Sequence, residues 1–198
     1  MEFKLTYAPG ATLLDPDEIN GLIPKYISTQ NELNILEQSN ILSGKNWGLK
    51  YKKDILNESF VRALHKKMYE DIWTWAGQYR LTQKSIGIDA GQISTQLHAL
   101  MKDVQTWIEL ESYKWPEILA RFHHRLVWIH PFANGNGRYA RLHTDFLATR
   151  YNQDVPSWGE LKSAGSIDKE SHIRELYISA LRLADQKQFN ELIQFLYL

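Results

Sequence analysis

Residues 128–143, WIHPFANGNGRYARLH, gather side chains able to handle a phosphate and a proton. His130 has an ordinary pKa of about 6.5, so its neutral ring can accept a proton near neutral pH. Gly135 and Gly137 flank Asn136 and allow positive φ, which brings bare backbone close to a ligand. A helix opening there would offer N–H groups without internal partners, a ready site for phosphate. Asn136 adds an amide donor. Arg138 and Arg141 stand three apart, neighbours on one helix face, and their planar forks suit phosphate oxygens. A phosphate nest, two arginines and a nearby base point to nucleotidyl or phosphoryl transfer. The base would take the proton of an attacking hydroxyl while the nest holds the phosphates.

The flanking segments must supply the turn. Pro116 suits a first helical position, and Ile118, Leu119, Phe122, Leu126 and Ile129 follow at helical spacing until Pro131 stops them. Leu142, Phe146 and Leu147 carry a second helix beyond the glycines. The loop therefore joins two helices. That placement rejects a decoy: GNGRYA fits the dinucleotide fingerprint, with Asp154 lying 19 residues after Gly135, but the fingerprint needs a preceding strand.

Elsewhere the pattern is also helical. Pro9, Gly10, Pro16, Gly21 and Pro24 make an irregular arm. Leu33, Leu36 and Ile41, with Ile35 and Leu42, predict a helix ending near Gly44. Phe60, Leu64, Met68 and Ile72 predict a stronger one stopped by Gly77. Tyr79, Leu81, Ile86 and Ile88 suit a short β-hairpin or extended flap. Leu97, Leu100, Met101 and Val104 mark another helix, and the last thirty or so residues give one or two more. Trp73 and Trp75 read as core. His123 and His124 lack a histidine four residues on, so they read as packed or hydrogen-bonded residues and not as zinc ligands.

Composition narrows the function further. The chain has 198 residues, 43 % of them hydrophobic, enough for one well-packed domain. Lys plus Arg and Asp plus Glu both number 23, so no overall field draws it to nucleic acid or to a membrane. Without cysteine there is no thiol catalysis, disulfide or Cys–zinc site. The N-terminus has no apolar signal-peptide core and no run is long enough to span a bilayer, so a cytoplasmic location is expected.

HPFANGNGRYAR is similar to the active-site signature of the Fic family, His-Pro-Phe-x-(Asp/Glu)-Gly-Asn-Gly-Arg-x-x-Arg. DIWTWAGQYR and FHHRLVWIHPF extend the resemblance over roughly residues 55–195, and the arm LDPDEINGLIPKYISTQNELNILEQSNI resembles the mobile mystery protein B subgroup. The resemblance implies a mostly α, Fic-type helical bundle with a short β-hairpin flap. Residues 1–54 would be an arm and helix packing on a core of residues 55–198. It implies a protein adenylyltransferase moving AMP from ATP, with Mg²⁺, to a Ser, Thr or Tyr hydroxyl of a target protein. A small antitoxin-like or operon partner goes with it.

Carried onto this chain, His130 would be the general base and Phe132 the loop's anchor. Gly135, Asn136 and Gly137 would hold the α- and β-phosphates, Arg138 the β-phosphate and Arg141 the γ-phosphate. Residues 84–88 would be the flap docking the target. The sequence departs from the signature at Asn134, where the family's Mg²⁺-binding acid is expected. An amide lacks the charge Mg²⁺ favours. The Gly-Asn-Gly run differs from the Doc-type loop, which phosphorylates.

Fic proteins are often restrained by a glutamate in (Ser/Thr)-x-x-x-Glu-(Gly/Asn), which pairs with the second signature arginine. Ser28 and Glu32 have that spacing, but Leu33 follows, and Thr29 with Glu32 also reads as a helix capping box. Glu37 is a second candidate, with no Ser or Thr four residues before it. Two other functions stay open: a nucleotide-binding interaction module with little catalysis, which Asn134 would favour, and removal of AMP from a protein, with a glutamate positioning water.

Overall fold

The computed structural model describes residues 13–160 and 167–198. Its described residues form eight α-helices: α1 (Pro16–Asn20), α2 (Gln30–Lys50), α3 (Glu58–Tyr69), α4 (Ile93–Glu109), α5 (Trp115–Ile129), α6 (Asn136–Arg150), α7 (Ile167–Asp185) and α8 (Asn190–Leu196). Helix α5 is central, packing on α4, α6, α7 and α8. Ile118, Leu119, Phe122, Leu126 and Ile129 are buried along it, as their spacing requires. Its neighbour α6 buries Tyr139, Ala140, Leu147 and Ala148. The loop between them is therefore fixed at both ends by core. No described helix is long and apolar enough to cross a membrane.

Helix α2 differs from its expected form. It runs through Gly44 and ends at Lys50, and its buried face is Leu33, Glu37, Asn40, Gly44 and Gly48. Ile35 and Leu42, counted toward the apolar pattern, are exposed. The reason is close approach. A Cβ on Gly44 would lie 2.7 Å from Met68 Cγ, and one on Gly48 would enter the Phe146 ring. Glycine weakens an isolated helix by about 1 kcal/mol, but here it lets α2 lie against α3 and α6.

Helix α3 stops at Tyr69, well before Gly77. Ile72 and Trp73 both donate to the Tyr69 carbonyl. The chain then pairs with the arm: Ile23 N–H donates to Ile72 O at 2.8 Å, and Thr74 N–H to Gly21 O at 2.9 Å. These pairings replace further helical bonds. The arm is also less irregular than expected, since Asp15 and Glu18 form a capping box around the single turn of α1.

The β-hairpin flap does not form. Among the described residues the only β pairing is the isolated bridge between Leu22 and Trp73. Two carbonyls of residues 80–88, those of Thr82 and Ile88, have another partner. Arg80 donates from Nη1 to Thr82 O at 2.8 Å and from Nη2 to Ile88 O, so one guanidinium closes the loop that a ladder would have closed.

Candidate active site

Helix α5 ends on His130 in the left-handed region, φ 53° and ψ 60°. Pro131 forbids the helical conformation at this residue, and the turn puts the imidazole beneath the 80–88 loop. The ring is 4 % exposed. A Cβ on Gly87 would stand 2.6 Å from His130 Cβ, so only glycine lets the loop lie this close. His130 Nδ1 lies 3.3 Å from the Val127 carbonyl. A carbonyl only accepts, so Nδ1 carries the proton and Nε2 is the basic nitrogen. Burial pushes the pKa down to about 4, with Arg80 and Lys84 adding to the shift. The ring is therefore neutral at physiological pH, the form a general base needs.

The loop after His130 is held from within. Phe132 is fully buried, its ring stacked at 3.7 Å on His65 of α3, as an anchor should be. Asn136 accepts from Phe132 N–H at 2.9 Å and donates to Phe132 O at 2.8 Å. Its amide thus shapes the loop. Gly135 caps α6 with φ 78°, and Tyr139 N–H closes the first helical turn on its carbonyl. The N–H groups of Asn136, Gly137 and Arg138 open α6 without helical partners, an arrangement able to hold an anion.

His65 also positions this loop. It accepts from Gly77 N–H at Nδ1, 3.0 Å, so Nε2 carries its proton and donates to Asn134 O at 3.1 Å. Burial pushes its pKa down to about 3, so it stays neutral. Sequence reasoning missed it; the signal was a histidine on the apolar face of α3, one turn before Tyr69.

The resemblance implies Mg²⁺ at Asn134. Its Oδ1 accepts the Gly135 N–H at 2.6 Å. Mg²⁺ favours carboxylate and phosphate oxygens, and among the described residues no group of three or more His, Cys, Asp or Glu side chains gathers to hold a metal. One neutral, already bonded amide oxygen does not fit a protein-held Mg²⁺.

Both arginines project from the first turns of α6. Arg138 Nη1 meets Glu37 Oε2 at 2.6 Å. Glu37 is 6 % exposed, and its Oε1 accepts from Trp73 Nε1 at 3.2 Å. Arg141 lies against Tyr177 of α7, 5.8 Å from the ring centroid. Arg174, one turn before Tyr177, has its pKa lowered by burial and then by the charge of Arg141. Neither α7 residue was anticipated, since α7 lies far along the chain from the loop. Tyr177 in turn bonds His123 Nε2 at 2.8 Å, and His124 Nε2 bonds Asp185 at 2.8 Å, so these histidines are hydrogen-bonded structural residues.

Glu32 is a cap. Its carboxylate accepts from Ser28 N–H at 2.8 Å and Thr29 N–H at 3.0 Å, and these bonds hold its pKa below the usual range. The glutamate that reaches a signature arginine is Glu37, and it reaches the first, Arg138, where the family pattern expects the second. Lys84 of the loop over His130 is buried between Asp15 at 2.7 Å and Glu18 at 2.5 Å.

Residues 55–148 match the sequence model of the Fic/DOC family. The chain is similar to the probable protein adenylyltransferase Fic of Salmonella typhimurium, 26 % identical over 140 residues, which cover 64 % of this chain and 70 % of that protein. Its fold is similar to the N-terminal FIC domain of Bep8, a VirB-translocated effector protein of Bartonella sp. 1-1C, with a TM-score of 0.67, 16 % identity and 87 % of each chain covered. BepC of Bartonella tribocorum, solved with bound AMPPNP, gives a TM-score of 0.56 at 20 % identity, over 69 % of this chain and 80 % of that one.

Proposed function

We propose that this chain, whose residues 55–148 match the Fic/DOC family model, is a protein adenylyltransferase that moves AMP from ATP to a Ser, Thr or Tyr hydroxyl of a target protein. The observation that carries this reading is a histidine held neutral at the end of α5, five residues before the glycine-opened start of α6. His130 takes the hydroxyl proton at Nε2 as the oxygen attacks the α-phosphorus. The bond from that phosphorus to the bridging oxygen breaks, and pyrophosphate leaves. The first N–H groups of α6 hold the α- and β-phosphates, Arg138 the β-phosphate and Arg141 the γ-phosphate. A cytoplasmic location, where ATP is abundant, goes with this reading. The target approaches over residues 81–88, where Leu81 and Ile86 are exposed.

In this reading residues 1–54 are an addition that restrains the 55–198 core. Glu37 of α2 occupies the guanidinium meant for the β-phosphate, so the described conformation is a restrained one. That restraint comes from the same chain, without an antitoxin-like partner. The narrower resemblance to mobile mystery protein B is carried by the same arm. Mg²⁺ in this reading arrives on the nucleotide's own phosphates.

The test is transfer itself. Incubated with ATP labelled at the α-phosphate and a cell lysate, the protein labels targets or itself, and His130→Ala does not. Nucleotide binding without His130-dependent labelling would instead identify a binding module.

A further inference from the structure

Tyr69 closes α3 and is 1 % exposed, yet its hydroxyl has no hydrogen-bond partner among the described residues. Native proteins leave few buried polar groups in that condition, because each is destabilising. The position of this one is informative. A Cβ on Gly135 would lie 2.6 Å from Tyr69 Oη, so the hydroxyl sits directly against the residue that caps α6. The Arg138 guanidinium lies over the same ring, 5.5 Å from its centroid. Burial pushes the phenol's pKa up to about 12, and the Glu37 charge acts in the same direction. Tyr69 therefore remains a protonated donor at any physiological pH. A donor without an acceptor lies among three features that address phosphate: the opening turn of α6, Arg138, and the carboxylate that now occupies Arg138.

We infer that Tyr69 is a binding residue for the polyphosphate, its hydroxyl donating to a non-bridging oxygen of the phosphate that Arg138 holds. A phosphate displacing Glu37 from Arg138 comes alongside the Tyr69 ring and supplies the acceptor the hydroxyl lacks. The same contact explains why residue 135 must be glycine beyond its positive φ: any side chain there would collide with the Tyr69 hydroxyl. Tyr69 adds no charge, so its contribution is directional: it selects a phosphate seated in one place over an anion merely near Arg138.

This inference rests on the adenylyltransferase reading of the site, and the experiment separates the two. ATP, ADP and AMP binding are measured by calorimetry for the wild type, Arg138→Ala and Tyr69→Phe, with thermal melts of the ligand-free proteins. Tyr69→Phe keeps the ring and removes only a partnerless hydroxyl, so its melting temperature should hold or rise. Its ATP and ADP affinities should fall roughly 10- to 100-fold, the range of one hydrogen bond to a charged group, while AMP is unaffected. A merely structural tyrosine would not give a weaker ligand and an equal or better fold together. Unchanged ATP and ADP affinity in Tyr69→Phe, with a clear loss in Arg138→Ala, overturns this inference and leaves the site reading intact. A wild type that binds neither ATP nor ADP overturns both.

Discussion

Glu37→Gln is the most discriminating single change in this molecule. The native carboxylate makes two contacts: Oε2 to Arg138 at 2.6 Å and Oε1 to Trp73 Nε1 at 3.2 Å. Glutamine keeps the shape and an acceptor for the buried indole N–H, so the cost of leaving that donor unpaired, about 1–3 kcal/mol, is avoided. What disappears is the charge on the Arg138 contact. A hydrogen bond to a charged group contributes roughly 1.5–3 kcal/mol, and any phosphate entering the site must displace it. At about 1.4 kcal/mol per factor of ten, its loss should tighten nucleotide binding roughly 10- to 100-fold. The pattern across ligands matters more than the size. If Glu37 competes with a β-phosphate at Arg138, ATP and ADP both gain and AMP does not. If the true competitor were a γ-phosphate on Arg141, ATP alone would gain. Titration calorimetry with the three nucleotides decides, and labelling rates should follow ATP affinity. Equal gains for all three, or none, would refute the competition.

Other outcomes follow from the same geometry. His130→Ala should abolish labelling while ATP affinity stays within about threefold, since the base faces the hydroxyl and not the phosphates; this is read from labelling beside calorimetry. With the His130 pKa depressed to about 4, the labelling rate should be flat from pH 8 down to about 5 and fall only as the ring protonates; a midpoint near pH 6.5 would mean that the ring is not desolvated. The same depression destabilises the fold in acid. His130 at about 4 and His65, His123 and His143 at about 3 bind fewer protons folded than unfolded, where the pKa is about 6.5, so thermal stability should fall as pH drops below that value. Asn134→Asp should weaken ATP in EDTA and tighten it in Mg²⁺, because the added charge repels bare phosphates and attracts a cation; unchanged Mg²⁺ dependence would mean that residue 134 does not face the ion. Glu32→Ala should lower the melting temperature slightly and leave labelling alone.

The helices that hold the loop were legible because their burial is periodic. Ile118 to Ile129 and Leu142 to Leu147 repeat on one face, and the prolines and glycines between them dictate a turn whatever the rest of the chain does. The end of α3 was not legible. Local pattern carries the helix on through Ile72, but pairing of residues 72–74 with the arm fixes the chain otherwise, and such pairing leaves no local signal. The hairpin failed for a similar reason. Alternating apolar residues at 79, 81, 86 and 88 suit a strand, yet Arg80 between them reaches the carbonyls of Thr82 and Ile88 and removes the need for a ladder.

The restraint on Arg138 shows where sequence patterns mislead most. Read by hydrophobicity, α2 presents Leu33, Leu36 and Ile41, with Ile35 and Leu42, and stops at a glycine. That reading does not single out the face that carries Glu37. Its actual inner face is built from small and polar residues, because contact with α3 and α6 is made backbone-close, not through large side chains. Gly44 against Met68 and Gly48 against Phe146 fix the helix in rotation and in height. From there, Asn40 and Glu37 follow at four and seven residues before Gly44, on the same face. Glu37 therefore reaches Arg138 because of two glycines up to three turns away. A larger residue at Gly44 should push α2 off α3 and release Arg138 without touching the ion pair. Gly44→Ala should then increase ATP affinity in the same ligand pattern as Glu37→Gln, but with a lower melting temperature. If Gly44→Ala lowers the melting temperature and leaves ATP affinity at the wild-type value, the contact is held by Glu37 and Trp73 alone, and the register of α2 has no part in it.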